Sequence, residues 1–196
     1  MMHTMERYFV LEDTMEITDK IAQDVMKNVM KYAKILKKDP ENYEARAEIM
    51  WCGSLSHNGL TGCGTCGGDW ATHLMEHELG GMFDVAHGAG LAAVWGSWAR
   101  YVMDEKPERF AQFAVDVMGV EESDDVKSTA LKGIEAVEEF YRMIEMPTNM
   151  KELGINPTDE QIKDMAMKAT NHDTQQLGAF KKLSAKDLVE IYKTAK

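Results

Sequence analysis

The chain contains little proline and little cysteine, and it has no long apolar run. Only four of its 196 residues are proline, and each lies where a helix is expected to begin or end. Three cysteines are too few for a disulfide framework in a chain of this length, which favours a reducing cytoplasm. No apolar run reaches the roughly 18 residues that a membrane-spanning helix needs, so a membrane location is not expected.

The sequence also has fewer basic than acidic residues. The sequence has 22 basic and 33 acidic residues, which gives a formal net charge of -11. Because binding to nucleic acid requires a basic surface, nucleic acid is not an expected partner. The length is sufficient for one sizeable hydrophobic core.

Apolar residues recur at helical spacing along nearly the whole chain. The segment 19–36 places Ile21, Val25, Met26 and Val29 on one face of a helix. Alternation typical of β-strands is absent from the sequence. We therefore predict an all-α fold, a single helical domain over residues 1–196. The other predicted helices lie around 43–51 and at about 69–80, 88–101, 107–118, 124–143, 158–170 and 184–195.

Glycine is concentrated in the segment 58–68, which is predicted to be a loop. Within it, Cys63 and Cys66 form a CxxC pattern. No strand precedes this pattern and no second pair follows it, so we interpret it as small residues in a turn rather than a redox or zinc motif. Asp69 follows the glycines and is predicted to cap the next helix, with phosphate binding by the loop as a weaker alternative.

Three of the six histidines lie within fifteen residues, at positions 73, 77 and 87. His73 and His77 share one face of a predicted helix. His87 follows Gly80, Gly81 and a short apolar stretch, and this spacing allows a second helix to start and return His87 toward the first pair. Such a cluster predicts a divalent metal site. The H-x-x-E-H pattern leaves open a zinc peptidase, in which His73 and His77 bind zinc and Glu76 activates water. An amphipathic helix with two polar imidazoles is the structural alternative.

Three blocks of the sequence resemble a known enzyme family. They are His3-Thr-Met-Glu-Arg-Tyr-Phe9, Gly53-Ser-Leu-Ser-His-Asn58-Gly-Leu, and the segment from Asp69-Trp-Ala-Thr-His73 to His87-Gly-Ala-Gly-Leu-Ala. Together they are similar to the iron-containing (group III) alcohol dehydrogenases, and most of all to the NAD(P)H-dependent butanol dehydrogenases among them. The matching blocks span most of the chain from His3 to Tyr101.

The resemblance implies a fold, a reaction and a set of site residues. Members of this family have a nucleotide-binding α/β domain and an all-helical domain, with a metal in the cleft between them. Here the implied metal ligands are His3, His73 and His87, and His77 would face nicotinamide and substrate as a proton-relay residue. The implied cofactors are Fe²⁺ or Zn²⁺ with NAD(H) or NADP(H), and the implied substrate is a primary alcohol or aldehyde.

Part of the family pattern lies outside the 196 residues. The aspartate ligand of the family would fall four residues before His3, ahead of Met1, and no Gly-Gly-Gly-Ser nucleotide loop occurs in the sequence. We therefore expect a truncated oxidoreductase that lacks its N-terminal α/β domain and is inactive by itself. A stand-alone or split-enzyme domain that binds metal or a partner chain is the alternative.

An uncovered cleft face predicts self-association. With the first domain missing, the face of His73 and His77 would be open, together with Trp70, Met75 and Phe83, and exposed apolar patches recruit partners. We expect a homodimer or a complex with a separate nucleotide-binding chain. Size-exclusion chromatography with light scattering checks this, and a monomeric mass at high protein concentration contradicts the homodimer.

Overall fold

The structure, a computed structural model, describes residues 1–12 and 15–196, and those residues confirm the all-α prediction. They contain nine α-helices and no β-strand. Every predicted helix is present, with bounds that differ from the prediction by a few residues. The helices are α1 (Met2–Tyr8), α2 (Glu16–Lys38), α3 (Tyr43–His57), α4 (Ala71–Phe83), α5 (His87–Val102), α6 (Pro107–Asp116), α7 (Val126–Met143), α8 (Asp159–Ala169) and α9 (Ala185–Thr194).

Local sequence signals explain where several helices begin. Thr158 caps α8 and Ser184 caps α9, each in a reciprocal capping box with the residue three positions later. Pro107 occupies the first turn of α6, where its missing N–H leaves no donor unpaired. Helices α8 and α9 therefore start where side chains satisfy otherwise unpaired backbone donors, and α6 starts at a residue that has no such donor.

Helix α5 lies at the centre of the core. Ten of its 16 residues are buried, including Trp95 and Trp98. Phe9 packs against both tryptophans and stacks on Phe110, with the two phenyl centroids 4.4 Å apart. Large rigid aromatic side chains thus fix the position of α5, whose first residue is His87.

Helix α1 is the one helix that apolar periodicity did not predict, and it is deeply buried. Met5, Tyr8 and Phe9 are at most 1% exposed. The Arg109 guanidinium donates to the Tyr8 carbonyl at 2.9 Å and pairs with the Asp19 carboxylate at 2.7 Å. A seven-residue helix is too short to be stable alone, so packing and this buried ion pair hold α1 in place.

Within the described part of the chain, every helix is too short or too polar to cross a bilayer.

The contact between α6 and α7 supplies a test of the packing. A Cβ added at Gly133 would lie 2.5 Å from Ala114 Cβ and 3.0 Å from its Cα. Gly133→Ala should therefore lower the free energy of unfolding by about 1–2 kcal/mol, because overpacking outweighs the better helix propensity of alanine. Denaturant unfolding measures the change.

Gly53→Ala is the matched control, because a Cβ there meets nothing within 4 Å. It should raise stability by up to about 1 kcal/mol. Equal effects of the two substitutions would contradict the close α6–α7 contact.

Candidate metal centre

Three helices bring four histidines together. His3 comes from α1, His73 and His77 from α4, and His87 from α5. The His73 ring lies in the middle, with its centroid 5.1 Å from that of His3, 4.6 Å from His77 and 4.7 Å from His87. The structure thus places the three predicted ligands and the predicted proton-relay residue in one cluster.

The turn between α4 and α5 returns His87 to the first pair. Asp84 ends α4 in the left-handed conformation, with φ 53°, a conformation that Asp adopts more readily than most residues. Helix α5 begins three residues later, at His87. The return of His87 that the sequence predicts is confirmed, and this short connection produces it.

A close backbone contact places α1 beside the start of α4. The Asp69 N–H donates to the Glu6 carbonyl at 2.7 Å. Gly68 has φ +110°, and a Cβ there would lie 2.5 Å from the same carbonyl oxygen, so only glycine fits. The glycine-rich loop therefore serves to let α1 approach, which carries His3 to His73.

The side chain of Asp69 makes further hydrogen bonds at the start of α4. Its carboxylate accepts from the Ala71 N–H at 2.9 Å, but the N-cap residue of α4 is Trp70, so Asp69 lies one position before the cap it was predicted to form. It also accepts from the Ala179 and Phe180 N–H groups at 2.8 and 2.7 Å. Asp69 therefore also ties α4 to a distant loop.

Glu6 is a buried member of the cluster that the sequence reasoning missed. It is 3% exposed, and its Oε1 lies 3.4 Å from His73 Nδ1. Burial, partly offset by a hydrogen bond from Thr72, raises the pKa of Glu6 to about 7. Glu6 lies three residues after His3 on α1, and this spacing was the signal in the sequence that could have revealed it. It was missed because α1 itself was not predicted.

In the described part of the chain the donor atoms form two groups that share His73, and neither group joins His3 to His87. Among the described residues, His73, His77 and His87 form one group with ligand atoms within 4.8 Å of one another, and His3, Glu6 and His73 form a second. His73 Nδ1 and Glu6 Oε2 are buried without a hydrogen-bond partner. Imidazole nitrogens with a carboxylate oxygen suit Fe²⁺ or Zn²⁺, so the residues fit a divalent metal.

The imidazoles of His3 and His73 are in the form that binds metal. Burial lowers the pKa of His3 to about 4, and the neighbouring His57 and His73 act in the same direction. Burial also lowers the pKa of His73 to about 4, with His77 and His87 adding to the effect. Both rings are therefore neutral near pH 7, with a lone pair available for a metal.

The solvent side of the cluster differs from the prediction at one residue. Met75 is fully buried, so the expectation that it lines the open face is wrong. At 100° per residue, Met75 points away from the face that His73 and His77 share. Trp70 and Phe83 are half-buried, and His77 is exposed.

The other two histidines and the two cysteines of the CxxC pattern differ in how close they lie to the histidine cluster. His57 lies at the end of α3, and its ring centroid is 4.2 Å from that of His3. Cys63 and Cys66 are exposed free thiols in the glycine loop. His172 is exposed on a loop beyond α8.

Comparison with known proteins identifies the family. The family model for the C-terminal part of the Fe-containing alcohol dehydrogenases matches residues 1–196. The chain belongs to this family, as the sequence resemblance predicted.

Individual relatives agree with this assignment. The chain is 32% identical to NADH-dependent butanol dehydrogenase A of Clostridium acetobutylicum, over 98% of this chain and 49% of that protein. It is 30% identical to the NADPH-dependent aldehyde reductase YqhD of Escherichia coli, over 99% of this chain and 49% of that protein. The crystal structure of NADH-dependent butanol dehydrogenase A from Thermotoga maritima superposes with a TM-score of 0.90 at 33% identity, covering 99% of this chain and 49% of that one. The chain thus spans about half the length of the relatives it matches.

The central position of His73 leads to a test of the metal centre. Because His73 belongs to both groups of ligand atoms, His73→Ala should weaken Zn²⁺ or Co²⁺ binding more than loss of any other histidine. We expect at least a roughly hundredfold rise in the dissociation constant, since losing one of three or four ligands removes several kcal/mol. Isothermal titration calorimetry measures it.

His172→Ala is the control, because that histidine lies on an exposed loop outside the cluster. It should bind metal as the unchanged protein does. A His73→Ala variant that retains full affinity would contradict the assignment of the metal to this cluster.

Proposed function

We propose that this chain is the metal-holding helical half of an NAD(P)-dependent alcohol dehydrogenase that interconverts a primary alcohol and an aldehyde. The convergence of His3, His73, His77 and His87 carries the proposal. Membership of the Fe-containing alcohol dehydrogenase family supports it, as do relatives that are named butanol dehydrogenases and an aldehyde reductase.

In this proposal His3, His73 and His87 hold Fe²⁺ or Zn²⁺. When bound, such a metal supplies a Lewis acid for an alcohol or carbonyl oxygen, and a nicotinamide supplies or accepts the hydride. The three imidazoles come from three helices packed on one core, so the protein fixes their positions before any ligand arrives.

His77 is the proposed proton-relay residue. It is exposed, unlike the partly buried His73 next to it, and the two ring centroids are 4.6 Å apart. An exposed imidazole beside the reacting oxygen can take up or release the proton that accompanies hydride transfer. Its side of the cluster is the face that we propose contacts the nucleotide-binding domain, on a longer chain or a separate one.

The cavity beside the cluster favours a small aliphatic substrate. It has a volume of about 280 Å³ and adjoins both His3 and His87. Its walls are mainly apolar, with Leu91, Phe140 and Ile144 among them. Apolar walls with a few convergent polar groups are typical of small-molecule sites.

The hydrolase alternative does not fit the geometry. A water-activating carboxylate must face the open coordination position of the metal, whereas Glu76 is 1% exposed and contacts His87 Nδ1.

As to location, the cytoplasm is proposed on the small number of cysteines, all three of which are free thiols.

For a protein made of residues 1–196 alone, we expect metal binding without turnover. The family match is to the C-terminal region, and the nucleotide-binding residues implied by the resemblance lie in the other domain. The purified chain should bind Zn²⁺ or Co²⁺ weakly, as measured by titration, because the aspartate ligand implied by the resemblance is not among these residues, and it should not reduce NAD⁺ or NADP⁺ in the presence of butanol. Full-length butanol dehydrogenase A of Clostridium acetobutylicum is the positive control, and turnover by the chain alone contradicts the expectation.

A fusion of this chain to the N-terminal half of that relative distinguishes two hypotheses. In one the chain is the catalytic half of a dehydrogenase, and in the other it is a stand-alone binding domain. The fusion should oxidise NADH with butanal, and His77→Ala should abolish most turnover while the metal is retained. A folded, metal-loaded fusion without activity would favour the stand-alone domain.

A further inference from the structure

A second buried carboxylate, that of Glu76, lies behind the histidines. The residue is on α4 between His73 and His77 and is 1% exposed. Burying a carboxylate costs several kcal/mol unless a partner compensates. Its Oε2 contacts Nδ1 of His87, whose own side chain is 45% exposed. Glu76 therefore supports the exposed imidazole from the protein interior.

Two glycines make the space for this carboxylate. A Cβ at Gly90 would lie 2.6 Å from Glu76 Oε1 and 2.7 Å from its Cγ, and a Cβ at Gly80 would lie 3.0 Å from the same oxygen. Both glycines are in helix interiors, where alanine would be more stable by about 1 kcal/mol. The helices give up that stability at the two positions that surround Glu76.

The contact selects one nitrogen of His87 for the metal. A carboxylate accepts a hydrogen bond but cannot donate one when ionised, so the proton of His87 is placed on Nδ1. The lone pair is then on Nε2, which is the nitrogen left to bind a metal. Metal-binding histidines commonly have a carboxylate or carbonyl behind them that fixes the ring and raises its basicity.

We propose that Glu76 is a positioning residue that holds His87 in the Nδ1–H tautomer and directs Nε2 toward the metal. The inference rests on the proposed metal centre. It assigns to Glu76 a role distinct from the water activation that the H-x-x-E-H pattern suggested, and it explains why glycine occupies positions 80 and 90.

Glu76→Gln removes the charge and keeps the shape. We expect Co²⁺ affinity to fall roughly 10- to 100-fold, as is typical when a carboxylate behind a metal-binding histidine is lost. The visible spectrum of bound Co²⁺ should change with it. In the metal-free protein, ¹⁵N NMR of the imidazoles should show His87 as the Nδ1–H tautomer, and Glu76→Gln should shift it toward Nε2–H.

Gly90→Ala is an independent variant, because its Cβ displaces the carboxylate without removing it. It should lower Co²⁺ affinity in the same direction. The matched controls are Glu78→Gln, on the same helix as Glu76, and Gly88→Ala, where a Cβ meets nothing within 4 Å. Thermal unfolding of each metal-free variant separates a loss of fold from a loss of affinity.

The outcomes distinguish this role from the metal centre itself. If Glu76→Gln and Gly90→Ala are folded and bind Co²⁺ as the unchanged protein does, while His73→Ala does not, the metal centre stands and the role of Glu76 is wrong. If the unchanged protein binds no Co²⁺, the metal centre is wrong, and the role of Glu76 with it.

Discussion

The site depends on the close approach of α1 to the segment that enters α4. Gly68 lies against the Glu6 carbonyl with no room for a side chain, and the Asp69 N–H bonds to that carbonyl. Without this contact the histidines of α4 and α5 would still form a group, but His3 and Glu6 would lie elsewhere. The contact persists because α1 is buried on its other side, where Phe9 packs into the aromatic core around α5. Core packing and site assembly therefore depend on the same short helix.

Burial in the core shifts the pKa values of the histidines and of Glu6 in opposite directions. Burial disfavours every charged form, which keeps His3 and His73 neutral and raises the pKa of Glu6. Neutral imidazoles next to buried carboxylates form a pocket that favours a cation. A glycine within a helix costs stability relative to alanine, and at Gly80 and Gly90 the missing side chain leaves space for the Glu76 carboxylate.

Much of the fold was predictable because its signals are local. Periodic apolar residues and capping residues such as Thr158 and Ser184 act within a few positions of the chain, and the helices follow them. The pairing of His73 with His77 is equally local. Helix α1 was missed because it has only seven residues, five of them buried, and shows no amphipathic pattern; Glu6 was missed with it. Met75 was misplaced because the prediction considered proximity in sequence and not the direction of the side chain around the helix.

The sequence by itself determined the helices from α2 to α9, the shared face of His73 and His77, and membership of the Fe-containing alcohol dehydrogenase family, since spacing and motif are properties of the chain. Only the tertiary structure decided which residues meet. His3 reaches His73 across 70 positions because a glycine permits backbone contact, and Glu76 turns inward to His87 because two glycines leave it space. Contacts of this kind depend on the packing of distant segments, which no local pattern in the sequence records.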